Sequence, residues 1–172
     1  IFISALFFSL PFGEGWGGAS FAQQCTFIYV TPNGASSGTV GTKAAPASLL
    51  HALTLASGTN NKIYMSSGTY TIYNPIIMKA NLTIEGGYNS TTWKKSNATA
   101  TTIYRDNSNV ETSPNRLVAV YCNTISNFRF QDLTIRTASG FGGGVSSYGV
   151  HLSGCSNYQI VRCKIIAGNA GN

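Results

Sequence analysis

The sequence predicts an all-β solenoid, a chain of short strands wound into stacked coils, and three observations predict it. The first is an internal repeat. Leu117-Val-Ala-Val-Tyr-Cys122 and Ser126-Asn-Phe-Arg-Phe-Gln-Asp-Leu-Thr-Ile135 return as Val150-His-Leu-Ser-Gly-Cys155 and Ser156-Asn-Tyr-Gln-Ile-Val-Arg-Cys-Lys-Ile165. Ser126 to Phe128 lies 30 positions before Ser156 to Tyr158, and Phe130, Leu133 and Ile135 meet Ile160, Cys163 and Ile165 at the same offset. Cys122 and Cys155 are 33 positions apart, so this alignment gives the first copy three additional residues, Asn123, Thr124 and Ile125. A period of this size built from strands is the mark of a solenoid. The second observation is the spacing of apolar runs after Lys62, too short and too close for βαβ crossovers. The third is composition: only 9% of residues are charged, against about 25% in an average soluble domain, and Gly, Ser, Thr and Asn favour turns between strands.

The elements follow in order. Thr26-Phe-Ile-Tyr-Val30 is a β-rich run closed by the turn signal Thr31-Pro-Asn-Gly34. Ala35 to Lys43 reads as a loop. Pro46 opens a helix in which Leu49, Leu50, Leu53 and Ala56 recur at helical spacing, with Gly58 as its stop. This short helix, apolar on one face, suits a lid over an open end. Short strands then follow at Ile63–Met65, Thr69–Tyr73, Ile76–Met78 and Leu82–Ile84, before the bend Gly86-Gly87-Tyr88. Asn89 to Glu111 breaks the period and reads as a protruding loop, with Thr102-Ile103-Tyr104 as a strand fragment. Ser139 to Ser147 is a second, Gly-rich excursion. The Leu-Thr-Ile of 82–84 echoes that of 133–135.

The opening 22 residues read as a secretory signal peptide truncated at its start. Ile1 to Leu10 is apolar, Ser20-Phe21-Ala22 fits a small-x-small cleavage site, and Gln23 would begin the mature chain. Ten apolar residues fall short of the ~20 that a membrane-spanning helix needs. Residues 23–61 form the cap strand, loop and helix, and 62–172 the coils. The net charge of +6 comes from eleven basic residues scattered from Lys43 to Lys164, with Lys94-Lys95 the only adjacent pair. Nucleic-acid surfaces cluster their cations, so no nucleic-acid partner is expected. A diffuse positive field suits an acidic polysaccharide or another anionic surface. Cys25, Cys122, Cys155 and Cys163 lack metal-type spacing. They read as buried thiols in a core ladder, with a Cys122–Cys155 bridge left open.

Ile28-Tyr-Val-Thr-Pro-Asn-Gly34, Gly41-Thr-Lys43 with Pro46 and a Leu/Ala helix, Ile63-Tyr-Met-Ser-Ser-Gly-Thr-Tyr70 and Leu82-Thr-Ile-Glu-Gly-Gly-Tyr88 come in a definite order. Together they resemble the opening of bacterial right-handed parallel β-helix proteins of the pectin-lyase-like group, over about Phe27 to the C-terminus. The resemblance implies an all-β, right-handed parallel β-helix with a short N-terminal capping helix, and coils of three short strands whose inward side chains stack. No cap follows the final strand, which predicts a chain continuing beyond Asn172. End-to-end self-association through that coil is the alternative cover. The same group contains polysaccharide lyases and hydrolases.

A hydrolase needs two carboxyl groups facing each other across a sugar bond. After residue 23 the acids are Glu85, Asp106, Glu111 and Asp132. Glu85 follows one Leu-Thr-Ile run and Asp132 precedes the other, which places them at opposite strand ends. Asp106 and Glu111 lie in the irregular insertion. No catalytic residue is assigned. Acids this sparse offer no evident Ca²⁺ cage, so no cofactor is expected unless the protein is a lyase. His51 and His151 read as structural residues, without a catalytic set around them. Tyr70, Tyr73, Tyr104 and Tyr148 are further aromatics. The ligand-contact candidates are Tyr88 and Trp93, bracketing a polar turn where exposed rings could stack on sugars, and Arg129 and Arg162, outward on the repeat. Arg136 lies on the same strands. Asn81, Asn89 and Asn97 begin formal glycosylation sequons of a kind that arises by chance in such sequences. The functional expectation is a secreted or cell-surface β-helix with a structural or adhesive, glycan-binding role. The alternative is part of a polysaccharide lyase or glycoside hydrolase.

Overall fold

The computed structural model describes residues 27–58, 61–96 and 98–172. The signal-peptide and cleavage-site expectations, Cys25 and the Asn97 sequon fall outside these residues. The chain begins with strand β1 (Phe27–Ala35) and helix α1 (Leu49–Leu55). The first coil is β2 (Lys62–Ser66), β3 (Gly68–Ile72) and β4 (Ile76–Ile77). The second is β5 (Thr83–Tyr88), β6 (Thr101–Arg105) and β8 (Asn115–Asn123), the last paired antiparallel with the short β7 (Glu111–Thr112). The third is β9 (Arg129–Gln131), β10 (Thr134–Thr137) and β11 (Ser146–Ser153), and the fourth contains β12 (Gln159–Val161) and β13 (Lys164–Ile166). Apart from the β7–β8 pair, successive coils pair in parallel and form three sheets: β1-β2-β5-β9-β12, β3-β6-β10-β13 and β4-β8-β11. The result is a parallel β-solenoid of about four turns.

Alternation within each strand sends every second residue inward, and parallel pairing stacks like positions. In the first sheet the inward row is Ile28, Ile63, Ile84, Phe130, Ile160. In the second it is Tyr70, Ile103, Ile135, Ile165, and in the third Ile76, Val120, Val150. No coil covers its own apolar side, so neighbouring coils bury each other. The Tyr70 hydroxyl lies inside the coil and donates to the carbonyls of Val30 and Ser66 at 3.0 and 2.9 Å. Burial raises its pKa above the ordinary phenol value. Left-handed backbone marks the corners: Asn81, Asn127 and Asn157 (φ 60, 59 and 47°) stack at one, Asp132 and Arg162 (φ 54 and 49°) at another. Asn tolerates this conformation better than most residues because its short side chain bonds locally.

The N-terminal end is closed. Ser48 caps α1 by accepting from His51 N, and Leu49, Ala52 and Leu53 face the core. Lys79 Nζ donates to the carbonyls of Leu53 and Ala56 at 2.7 and 3.0 Å, satisfying the helix C-terminus. The helix is therefore shorter than the run from Pro46 to Gly58 suggested.

The observed register changes three sequence-based readings. Val120, Cys122 and Ser126 pair with Val150, Leu152 and Ser156, a constant offset of 30. Cys122 thus stacks with Leu152, not Cys155, and the three additional residues vanish. Cys122 is a free, buried thiol, its pKa pushed up to about 12 by burial; Cys155 and Cys163 are free and half-buried. Second, Ile84 lies in the first sheet over Phe130, whereas Ile135 lies in the second over Ile103. The Leu-Thr-Ile echo therefore joins non-equivalent strands. Third, 101–105 is a full strand of the second sheet, not a fragment in a loop.

Candidate functional site

Outward positions of the first sheet form two rows. Phe27, Lys62, Thr83, Arg129 and Gln159 make one, and Tyr29, Tyr64, Glu85, Gln131 and Val161 the other. Parallel registry brings like positions within side-chain reach, and the aromatics respond by stacking. Phe27 lies on Tyr64 with centroids 4.6 Å apart, Tyr64 on Tyr88 at 4.5 Å, and Trp93 meets Tyr29 edge-on at 4.7 Å. Tyr88 and Trp93 are each only 8% exposed. Their rings are packing partners inside this cluster and present no free face for a sugar, contrary to the exposed rings expected there. The turn between them folds back on the sheet. Tyr88 bridges Lys95, Trp93 N donates to the Asn89 carbonyl, and Asn89 Oδ1 accepts from the backbone N–H groups of Thr91 and Thr92. The Asn89 side-chain oxygen is thereby engaged in the turn, and both Asn81 and Asn89 are exposed.

Beside the rings lies a polar cluster, and here the separation expected of Glu85 and Asp132 is overturned. Glu85 stands in register with Gln131, and Asp132 is the next residue, turned by its left-handed backbone. Gln131 Nε2 donates to Glu85 Oε1 at 3.0 Å and to Asp132 Oδ2 at 3.3 Å. Lys95 Nζ is ion-paired with Glu85 at 2.7 Å and also with Asp132. Arg162 completes the cluster, its Nε and Nη2 donating to Asp132 at 2.6 and 2.9 Å. The Arg162 guanidinium, with help from Lys95 and Gln131, holds the Asp132 carboxyl well below the usual carboxylate range. Asp132 is accordingly ionised and cannot serve as a general acid near neutral pH.

That depression has a sign. A carboxylate with a lowered folded-state pKa stabilises the fold above its unfolded value, about 3.9 for Asp, and loses that contribution as pH falls toward the folded value. Stability should therefore decline with acidification below about pH 4. Asp132→Asn should be less stable at neutral pH and should show a flatter acid limb. Thermal melts from pH 7 to pH 2 on both proteins test this, and parallel curves would contradict the assignment.

Further surface depressions lie next to this cluster. Two adjoining ones, of about 300 and 580 Å³, share Ala100, Thr134 and Lys164. Arg162 and Asp132 border the first, and Tyr104, Arg136, Thr69 and Thr102 line the second. Their floor is the outward row Thr69, Thr102, Thr134, Lys164 of the second sheet. The Arg136 guanidinium sits 4.9 Å from the Tyr104 ring centroid, a cation–π contact. Of the residues expected to contact ligand, Arg162 is at this groove and 64% of its side chain is exposed. Arg129 is not. It is half-buried, donates to Gln131, and lines a smaller hollow of about 170 Å³ with Lys62, Tyr64, Thr83, Glu85 and Gln131. The structure thus separates Arg129 from Arg162 and places Lys164 between the depression bordered by Arg162 and the one lined by Arg136.

Two further charged assemblies lie away from the groove. Glu111 accepts from Arg116 Nε and Nη2 at 2.9 and 3.3 Å, and Arg116 Nη1 donates to His151 Nδ1 at 3.0 Å. This fixes His151 between Tyr121 and Tyr148, 5.4 and 5.2 Å away. Arg105 is an inward residue with no exposure, stacked between Ile72 and Thr137. Its guanidinium donates to the carbonyls of Asp106, at 2.8 Å, and Asn109. Among the described residues, no group of three His, Cys, Asp or Glu could hold a metal ion, and no helix is long and apolar enough to cross a membrane. Comparison with protein-family models, curated proteins and solved structures finds no match to this chain.

Proposed function

We propose that this chain is a right-handed β-helix of the pectin-lyase-like kind, secreted or displayed on a bacterial cell surface, with a structural and adhesive role and a groove that binds an acidic glycan. The observation that carries the reading is the groove on the second sheet. It collects Arg136, Lys164 and Arg162, a row of threonine hydroxyls and one aromatic ring, while its single acid, Asp132, is already paired with Arg162. Cations would meet the carboxylate or sulfate groups of the glycan, the hydroxyls its ring oxygens, and Tyr104 a sugar face. Right-handed winding is supported by the usual hand of parallel connections. Export is supported by the apolar opening of the sequence.

One observation favours the second reading, a polysaccharide lyase or hydrolase: Glu85 and Asp132 lie side by side. Hydrolysis needs one carboxyl group of such a pair protonated, and Arg162 and Lys95 hold Asp132 in its ionised form.

Titration calorimetry with polygalacturonate and a neutral glucan tests the binding. The acidic polymer should bind and weaken as ionic strength rises. The double variant Arg136→Ala with Lys164→Ala should lose about tenfold or more in affinity, roughly 1.4 kcal/mol. Equal binding of the neutral glucan, or no effect of the double variant, would overturn the proposal. Sugar release or unsaturated products during the titration would favour the enzyme instead.

A further inference from the structure

The outer face of the first sheet carries cations of its own, apart from the groove on the second sheet. Lys62, Thr83 and Arg129 stand in register on neighbouring strands. A strand spacing of about 4.8 Å puts the two cationic residues two strands apart, with the threonine between them. Phe27 flanks Lys62 and Gln159 flanks Arg129 in the same row, so the site lies within the stack. With Tyr64, Glu85 and Gln131 these three residues line the hollow of about 170 Å³. Among the described residues neither Lys62 nor Arg129 forms an ion pair. Lys62 Nζ rests 5.7 Å from the Phe27 ring centroid. Arg129 Nη2 donates to the Gln131 side-chain oxygen, and its Nε is enclosed without an acceptor. Buried donors normally have partners, and an unmet one calls for an explanation such as a bound ion. The one acid at the hollow, Glu85, is engaged elsewhere: its Oε1 accepts from Gln131 and pairs with Lys95.

We propose that this hollow binds one tetrahedral oxyanion, a sulfate or phosphate group. Lys62 approaches from one side, Arg129 from the other and the Thr83 hydroxyl from the floor. Three oxygens on one face of a tetrahedral anion meet three such donors, whereas a carboxylate offers two oxygens in a single plane. Bonds between ionised donors and such oxygens are stronger than neutral ones, and a double negative charge balances two unmatched cations. Gln131 sets the geometry. Its oxygen takes the Arg129 bond while its Nε2 donates to Glu85 and Asp132, which fixes the guanidinium beside the hollow. The site is independent of the glycan groove, because Arg136 and Lys164 belong to the second sheet. Either can fail while the other stands.

Inorganic sulfate and inorganic phosphate, titrated into the ¹⁵N-labelled chain at constant ionic strength, test this by nuclear magnetic resonance. Saturable shifts are expected at the Thr83 amide and the Arg129 Nε–H. Sodium chloride should give none, and acetate should bind about tenfold or more weakly than sulfate, since it loses one charge-assisted bond. Lys62→Gln and Arg129→Gln should each weaken sulfate by about tenfold or more. The map on the unaltered chain needs no substitution, so a misfolded variant does not blunt the test. Dextran sulfate tells the two sources of the group apart: shifts at Thr83 that Arg129→Gln abolishes mark an ester group, and their absence beside binding of the inorganic ion marks a free one. Equal affinity for acetate, shifts confined to Arg136 and Lys164, or unchanged sulfate affinity in both folded variants would each overturn the proposal.

Discussion

Phe130→Ala should destabilise the protein by about 3–5 kcal/mol, the usual range for deleting a buried phenylalanine. Phe130 has no exposure, stands between Ile84 and Ile160 in the inward row of the first sheet, and meets Phe128 edge-on at 5.7 Å. Truncation removes contacts to the coils on both sides at once, and in a stacked architecture stability is a sum over such neighbouring interfaces. Ile160→Ala, one rung along the same row, should cost only about 1–2 kcal/mol, because its side chain is already partly in water. Urea unfolding monitored by circular dichroism separates the two, provided the slope of the transition is unchanged. Equal losses at the two positions would mean that the row is not stacked as described.

Arg105 should give the second large effect, and its size depends on what replaces it. Arg105→Ala leaves a cavity among Ile72, Ile103 and Thr137 and strips the Asp106 and Asn109 carbonyls of their donor; a loss of about 3 kcal/mol or more is expected. Arg105→Met retains most of the volume while removing a charge that burial has desolvated and whose pKa it lowers. It still strips the Asp106 and Asn109 carbonyls of their donor and removes the ion pair with Asp106, so Arg105→Met should avoid only the cavity cost and lose about 1–3 kcal/mol, less than Arg105→Ala. Both variants should speed amide exchange in residues 106–110, since both release the turn that the guanidinium ties down. If methionine proved as damaging as alanine, the charge itself would be holding the coil together.

Much of the architecture was legible because apolar residues at every second position in closely spaced runs can be buried only by stacking. The 30-residue period between the last two coils could be read from Phe130 and Ile160 and from Ile135 and Ile165. Its exact extent could not be read from the cysteines. Cys122 and Cys155 are alike in kind but occupy different points of the turn, and the backbone bonds of β8 and β11 set the register through Val120 and Val150 instead. The Leu-Thr-Ile echo misled for a related reason: a strand of three residues has too little character to show which sheet it joins. That error separated Glu85 from Asp132. Once Ile84 is set over Phe130, Glu85 falls over Gln131 and the two acids converge. The burial of Trp93 depended on a fold-back between distant strands, invisible in local sequence. Arg105 was more accessible, since Thr101, Ile103 and Arg105 alternate with Thr102 and Tyr104. An arginine at the third inward place reads as the end of a strand, unless a loop carbonyl such as that of Asn109 is known to wait for it.

The parallel ladders also set how the molecule would carry load. The strands run around each coil, and the bonds joining one coil to the next point along the stacking axis. A pull along that axis tears these bonds in tandem rather than shearing them side by side, so the outermost turn yields before its neighbours. The 30-residue turn between Phe130 and Ile160 frees roughly 100 Å of extended chain when it peels away. Tension would thus be relieved in discrete lengths, with the remaining turns still wound against the helix at the other end.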